Sequence, residues 1–164
     1  TLISVSKNEE IILGIADIPA LDERYLGYSK LAYKIKNRKK TKLKVRNTDK
    51  IKESILNTTS PYVFANKKDQ KIFEKLVKEV KTVRLGGDCY SYCLLADGYI
   101  DIILESGLKP WDIRALEPII NNAGGILKTW EGDRVFDGGR IVATSNIQLI
   151  KKIKNILLKK PSHE

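Results

Sequence analysis

From its first residue the chain alternates apolar and polar positions in short runs. Thr1–Ser6 and Ile11–Asp17 carry the period of half-buried strands, and the polar run Lys7-Asn8-Glu9-Glu10 between them reads as a hairpin loop. Ile18-Pro19 closes the second run, because proline has no N–H to give a ladder. Glu23–Tyr28 and Leu31–Asn37 continue the alternation and join near Gly27. Arg38-Lys39-Lys40 reads as a charged turn, followed by a last strand at Lys42–Arg46 with Leu43 and Val45 on one face. The pattern predicts an antiparallel sheet.

Between Asn47 and Lys52 no period survives, so a subdomain boundary is expected there, dividing the chain into 1–50 and 51–164. Beyond it, strands alternate with helices. Ser54–Thr59 reads as a strand, and Lys67–Val80 as a helix with Ile72, Phe73, Leu76, Val77 and Val80 at helical spacing. Thr82–Leu85 and Ile100–Glu105 are expected strands, with a helix at Asp88–Ala96 between them. A helix at Asp112–Ala123 is closed by Gly124-Gly125, strands follow at Ile126–Trp130 and Arg140–Thr144, and an amphipathic helix spans Asn146–Leu158. The expected class is α/β, a layered α+β sandwich. Antiparallel strands of a first subdomain precede a smaller α/β subdomain.

The composition, 42% hydrophobic and 30% charged over 164 residues, fits one core or two small subdomains sharing an interface. No apolar run is long enough to span a bilayer, and the first residues lack a basic stretch followed by an apolar one. No membrane partner is therefore expected, and with nothing to suggest a disulfide framework a reducing cytoplasm is the expected compartment. The chain contains no methionine and opens inside a strand pattern, which reads as a missing front end. The net charge of +10 raises the question of nucleic acid. Lysine outnumbers arginine, however, and the dense basic run from Lys34 to Arg46 has no interleaved aromatic to stack a base. A solvated basic hairpin is expected, and no nucleic-acid partner. Cys89, Cys93 and the single His163 cannot supply a zinc site. Four apart on a helix, the two thiols read as small buried residues on one face.

Candidate chemistry is concentrated between Gly86 and Gly125. Gly86-Gly87 sits where a strand turns into a helix, so a ligand could approach free N–H groups there. Glu105 ends a strand and Asp112 opens the next helix, with Gly107 and Pro110 turning the chain between them. Both carboxylates then fall at one end of a sheet, where open α/β sheets bind ligands. Asp112 can hold a hard cation such as Mg²⁺, or cap its helix, or do both.

The stretch Leu-Lys-Pro-Trp-Asp-Ile-Arg-Ala-Leu-Glu-Pro-Ile-Ile-Asn-Asn-Ala-Gly-Gly, residues 108 to 125, resembles the second signature of the inositol monophosphatase family. Gly86-Gly87-Asp88-Cys89-Tyr90-Ser91-Tyr92-Cys93 is similar to the version found in that family's histidinol-phosphate phosphatases. Gly14, Asp17, Pro19 and Glu23-Arg24-Tyr25 resemble the strands after the family's metal-binding motif. The resemblance implies that Asp112 is a catalytic residue and a ligand of Mg²⁺. It also implies that Gly86, Gly87, Asp88 and Glu105 line the substrate pocket. Asp88 stands where inositol phosphatases carry a small residue, and its carboxylate suits the ammonium of histidinol. The family's first signature, Asp-Pro-Ile-Asp-Gly-Thr, is absent. The 164 residues alone are therefore expected to be inactive, as part of a hydrolase of small phosphate monoesters. L-histidinol phosphate is the expected substrate, attacked directly by a metal-activated water. An inositol or sugar phosphate is the alternative, and a non-catalytic scaffold is the alternative of another class. The full-length protein can be a homodimer.

Overall fold

A computed structural model describes residues 1–64 and 66–158; His163 lies outside them. The first sheet is built from β1 (Leu2–Lys7), β2 (Glu10–Ile18), β3 (Glu23–Tyr28), β4 (Leu31–Lys36) and β5 (Lys39–Lys42), an antiparallel meander in chain order. Three of its turns are pairs of residues at positive φ: Asn8-Glu9, Ser29-Lys30 and Asn37-Arg38. Turns of that kind match the right-handed twist of the flanking strands. They correct two expectations. The β3–β4 connection is Ser29-Lys30, beyond Gly27, and Lys39-Lys40 belong to a strand rather than to the charged turn. Of the expected strand Lys42–Arg46 only Lys42 belongs to β5; the Leu43 N–H still donates to the Ala32 carbonyl of β4 at 2.9 Å, and beyond it the chain leaves the sheet, with the Val45 N–H donating to the Ala123 carbonyl at 3.1 Å.

The second sheet contains β6 (Ile55–Thr58), β7 (Thr82–Leu85), β8 (Ile102–Leu108), β9 (Ile126–Thr129) and β10 (Gly139–Thr144). Its order is β7-β6-β8-β10-β9. β6 runs parallel to both of its neighbours, and β10 runs antiparallel to both of its own. The helices are α1 (Lys67–Val77), α2 (Asp88–Ala96), α3 (Pro110–Ile113), α4 (Leu116–Asn122) and α5 (Ile147–Leu158).

Strand alternation sorts these elements into four layers. Ala16, Tyr25 and Ala32 of the first sheet pack on Tyr92 and Leu95 of α2 and on Ile119 and Ile120 of α4; Ile103 and Ile141 of the second sheet close that core. The opposite face of the second sheet, with Leu56, Leu104 and Val142, packs on Phe73 and Leu76 of α1 and Ile153 of α5. The first sheet and the middle helices approach very closely. A Cβ on Gly14 would lie 1.9 Å from the Ala115 carbonyl oxygen, and one on Gly27 would lie 2.3 Å from the Ile119 nitrogen.

The expected helix Asp112–Ala123 is two helices. Pro118 has no N–H for the Arg114 carbonyl, and its ring crowds the preceding turn. The chain therefore breaks between α3 and α4, with Glu117 N–H reaching Arg114 O at 3.3 Å.

The other face of the first sheet is open among the described residues. Ile3, Ile15, Leu26 and Tyr33 stand in one row across four strands, and Val5, Leu13, Tyr28 and Leu31 in a second. Ile3 is 50% exposed and Val5 43%. Among the described residues no helix is long and apolar enough to cross a membrane.

Candidate functional site

Three carboxylates converge on one cleft of about 410 Å³, lined by Asp88, Glu105 and Asp112 together with Leu2, Thr59, Val63, Cys89, Tyr92 and Leu108. Each is presented by a different element. β8 carries Glu105 and continues three residues beyond it to Leu108, so Glu105 lies within the strand instead of ending it. The side chain is buried at 3% exposure. A carboxylate at that depth needs partners. Its Oε1 accepts from the Thr59 backbone N–H at 2.8 Å and its Oε2 from the Tyr92 hydroxyl at 3.1 Å. Burial, and then the negative charge of Glu105, push the Tyr92 hydroxyl well above the usual phenol range. Tyr92 is thus a fixed donor. Sequence reasoning missed it, although Asp88 and Tyr92 are four apart on α2 and such residues share a helix face.

Asp112 sits one turn further into its helix than expected. Lys109 is the N-cap, Pro110 occupies the first turn, and Asp112 Oδ2 accepts from the Lys109 backbone N–H at 2.8 Å. That bond satisfies one orphan donor of the helix start. The second oxygen of Asp112 has no hydrogen bond to the protein among the described residues.

Asp88 opens α2, but the N-cap is Gly87 and no side chain closes the cap. Gly86, Gly87 and Asp88 have φ of 87°, 98° and 42° in succession. Glycine adopts such values freely and aspartate seldom does. The two glycines do not line the cleft of the three carboxylates. They line an adjoining one with Asn57, Arg84 and Tyr99, and contribute to the site by turning the chain so that Asp88 faces it. The Asp88 carboxylate is exposed and has no hydrogen bond to the protein among the described residues. Cys89 lines the cleft half-buried, and Cys93 is buried one turn on.

Behind α2 lies a cluster that the sequence did not reveal. Glu23, 4% exposed, receives Lys36 Nζ at 2.8 Å and Lys34 Nζ at 3.2 Å on Oε1, and Tyr25 at 2.7 Å and Tyr90 at 3.0 Å on Oε2. Burial raises the pKa of this carboxyl, yet hydrogen bonds from Lys36, Tyr25, Tyr90 and Lys34 bring it down to about 2. A depressed acid stabilises the fold fully above its unfolded pKa and loses that contribution as pH falls through the folded one. Glu23 is therefore expected to contribute on the order of 3 kcal/mol near pH 6 that disappears between pH 5 and 2. Denaturant titrations of wild type and Glu23→Gln over that range measure it. An identical pH slope in both would contradict the assignment.

The donor set suits a hard divalent cation in type, because it consists of carboxylate oxygens. It is small in number: among the described residues no group of three or more His, Cys, Asp or Glu is placed to hold a metal ion together.

A layered α/β chain with carboxylates gathered at one end of its mixed sheet has the form of a small-ligand site. The family model for the inositol monophosphatase family matches residues 1–160, and the chain belongs to that family. It is 39% identical over 139 residues to the chloroplastic bifunctional phosphatase IMPL2 of Arabidopsis thaliana, a match covering 82% of this chain and 38% of that protein. A histidinol-phosphatase of Mycobacterium tuberculosis is 29% identical over 150 residues, covering 90% of this chain and 57% of that protein. The structure of an inositol monophosphatase from Zymomonas mobilis superposes with a TM-score of 0.88 at 31% identity, covering 95% of this chain and 61% of that one. The chain thus spans between about a third and two thirds of the length of these relatives.

Proposed function

We propose that this chain, joined to the further segment that its relatives carry, forms a Mg²⁺-dependent phosphatase whose substrate is L-histidinol phosphate. The observation that carries the substrate is Asp88, a carboxylate at the cleft of Glu105 and Asp112 that has no hydrogen-bond partner among the described residues. A cationic alcohol would form a charge-assisted hydrogen bond there, and a neutral cyclitol would not. The Mycobacterium tuberculosis relative, a histidinol-phosphatase, agrees with this choice.

Asp112 would hold the ion through the oxygen left free by its bond to Lys109. When bound, Mg²⁺ supplies a water activated at neutral pH and offsets charge on the phosphoryl oxygens. The remaining work belongs to the chain. Glu105, locked between Thr59 and Tyr92, presents a fixed acceptor to the alcohol portion without reorganising. Asp88 neutralises and orients the ammonium. Leu2, Val63 and Leu108 give the cleft apolar walls that limit water.

The second reading, an inositol phosphate as substrate, is favoured by the close superposition on the Zymomonas mobilis inositol monophosphatase. Steady-state phosphate release from histidinol phosphate and inositol 1-phosphate separates the two. The full-length protein is expected to prefer the first by at least about tenfold in kcat/KM, which one charged hydrogen bond can supply. A ratio of one or below would give the substrate to inositol phosphate.

A further inference from the structure

We propose that Glu23, acting through Tyr90, is a positioning residue for Asp88, although it does not itself line the substrate cleft. The consequence drawn for substrate choice rests on the histidinol-phosphate reading above.

The start of α2 places one residue with a side chain, Asp88, in an uncommon conformation. Three consecutive residues, Gly86 to Asp88, have positive φ, and the last of them is not glycine. Such a conformation persists only where the surroundings over-determine it. The turn itself is tied by its Gly86 carbonyl, which accepts from Ser91 Oγ at 2.9 Å and Asn57 Nδ2 at 3.2 Å. The nine-residue helix behind it is held from two sides. Tyr92 donates to Glu105 in the second sheet, and Tyr90 donates to Glu23 in the first. Lys34 extends the second hold along the helix, reaching Glu23 at 3.2 Å and Asp97, just past the last turn, at 2.9 Å. The Tyr90 ring meets Tyr25 edge-on at 6.3 Å, and Tyr25 donates to the same Glu23 oxygen. Two buried carboxylates, Glu105 on one side and Glu23 on the other, therefore hold the rotation of α2 about its axis, and Glu23 supplies the hold on the side of the first sheet. That rotation sets where the Asp88 carboxylate stands relative to Glu105 and Asp112.

The probe is Tyr90→Phe, which removes one hydroxyl and keeps the ring contact. In the full-length protein, amide hydrogen exchange at residues 88–92 is expected to accelerate about tenfold, with the strands of both sheets unchanged. KM for histidinol phosphate should rise about three- to tenfold with kcat within about twofold, and KM for inositol 1-phosphate should stay level. On an Asp88→Asn background the same substitution should add nothing to the change in substrate ratio. Glu23→Gln, which keeps one acceptor for Tyr90, should give a smaller KM effect than Glu23→Ala. Unchanged exchange at 88–92 overturns the proposal. So does an equal KM rise on both substrates, which marks a merely structural contact. Faster exchange at 88–92 with a substrate ratio indifferent to Asp88→Asn supports the positioning role and removes the histidinol-phosphate reading instead.

Discussion

Asp112→Asn in the full-length protein is expected to lower kcat at least about a hundredfold while moving the thermal midpoint by no more than about 3 °C. The two effects separate because Asp112 has two oxygens with different neighbours. One accepts from the Lys109 N–H at 2.8 Å and helps to start α3. An asparagine oxygen can accept the same bond, and even complete loss of such a helix-start bond costs only about 1 kcal/mol. The other oxygen has no hydrogen bond to the protein among the described residues, and its use to a hard cation depends on negative charge, which the amide lacks. Measuring kcat and the thermal midpoint on one preparation decides the matter. Near-wild-type activity would reduce Asp112 to a helix-start residue.

Asp88→Asn is expected to lower kcat/KM for histidinol phosphate by about ten- to a hundredfold, the value of a hydrogen bond to a charged group. Inositol 1-phosphate should lose far less. The substitution preserves shape and removes charge alone, and Asn tolerates positive φ better than most residues, so the turn at φ 42° should survive. No cap is lost, because Gly87 rather than Asp88 occupies that position. An equal loss on the two substrates would show that the residue acts through the turn and not through recognition.

Much of this arrangement could be read from the chain. The first sheet was legible because most of its strands alternate and are joined by short local turns. The helix broken before Pro118 was not legible as two, because Leu116, Ile119 and Ile120 keep helical spacing across a missing donor. Asp112 read as opening its helix because spacing cannot tell the N-cap from a residue one turn inside; Pro110, favoured in a first turn, was the better signal. Asp88, Glu105 and Asp112 meet in one cleft, but Gly86 and Gly87 line the one beside it. The bonds that hold the site were out of reach for a different reason. Tyr90 and Glu23 are 67 residues apart, and Thr59 and Glu105 are 46 apart, so nothing local records either pair.

The two apolar rows on the open face of the first sheet turn assembly into a contest between reaction orders. Covering that face from elsewhere in the same polypeptide is unimolecular and indifferent to dilution. Pairing two such faces from separate copies is bimolecular, and its rate climbs with concentration. A tethered cover acts at an effective concentration in the millimolar range. It therefore prevails while free copies are scarce and yields as they accumulate. An apolar face of this kind, wherever it is left uncovered, would make the yield of well-formed protein depend on concentration and not on stability alone.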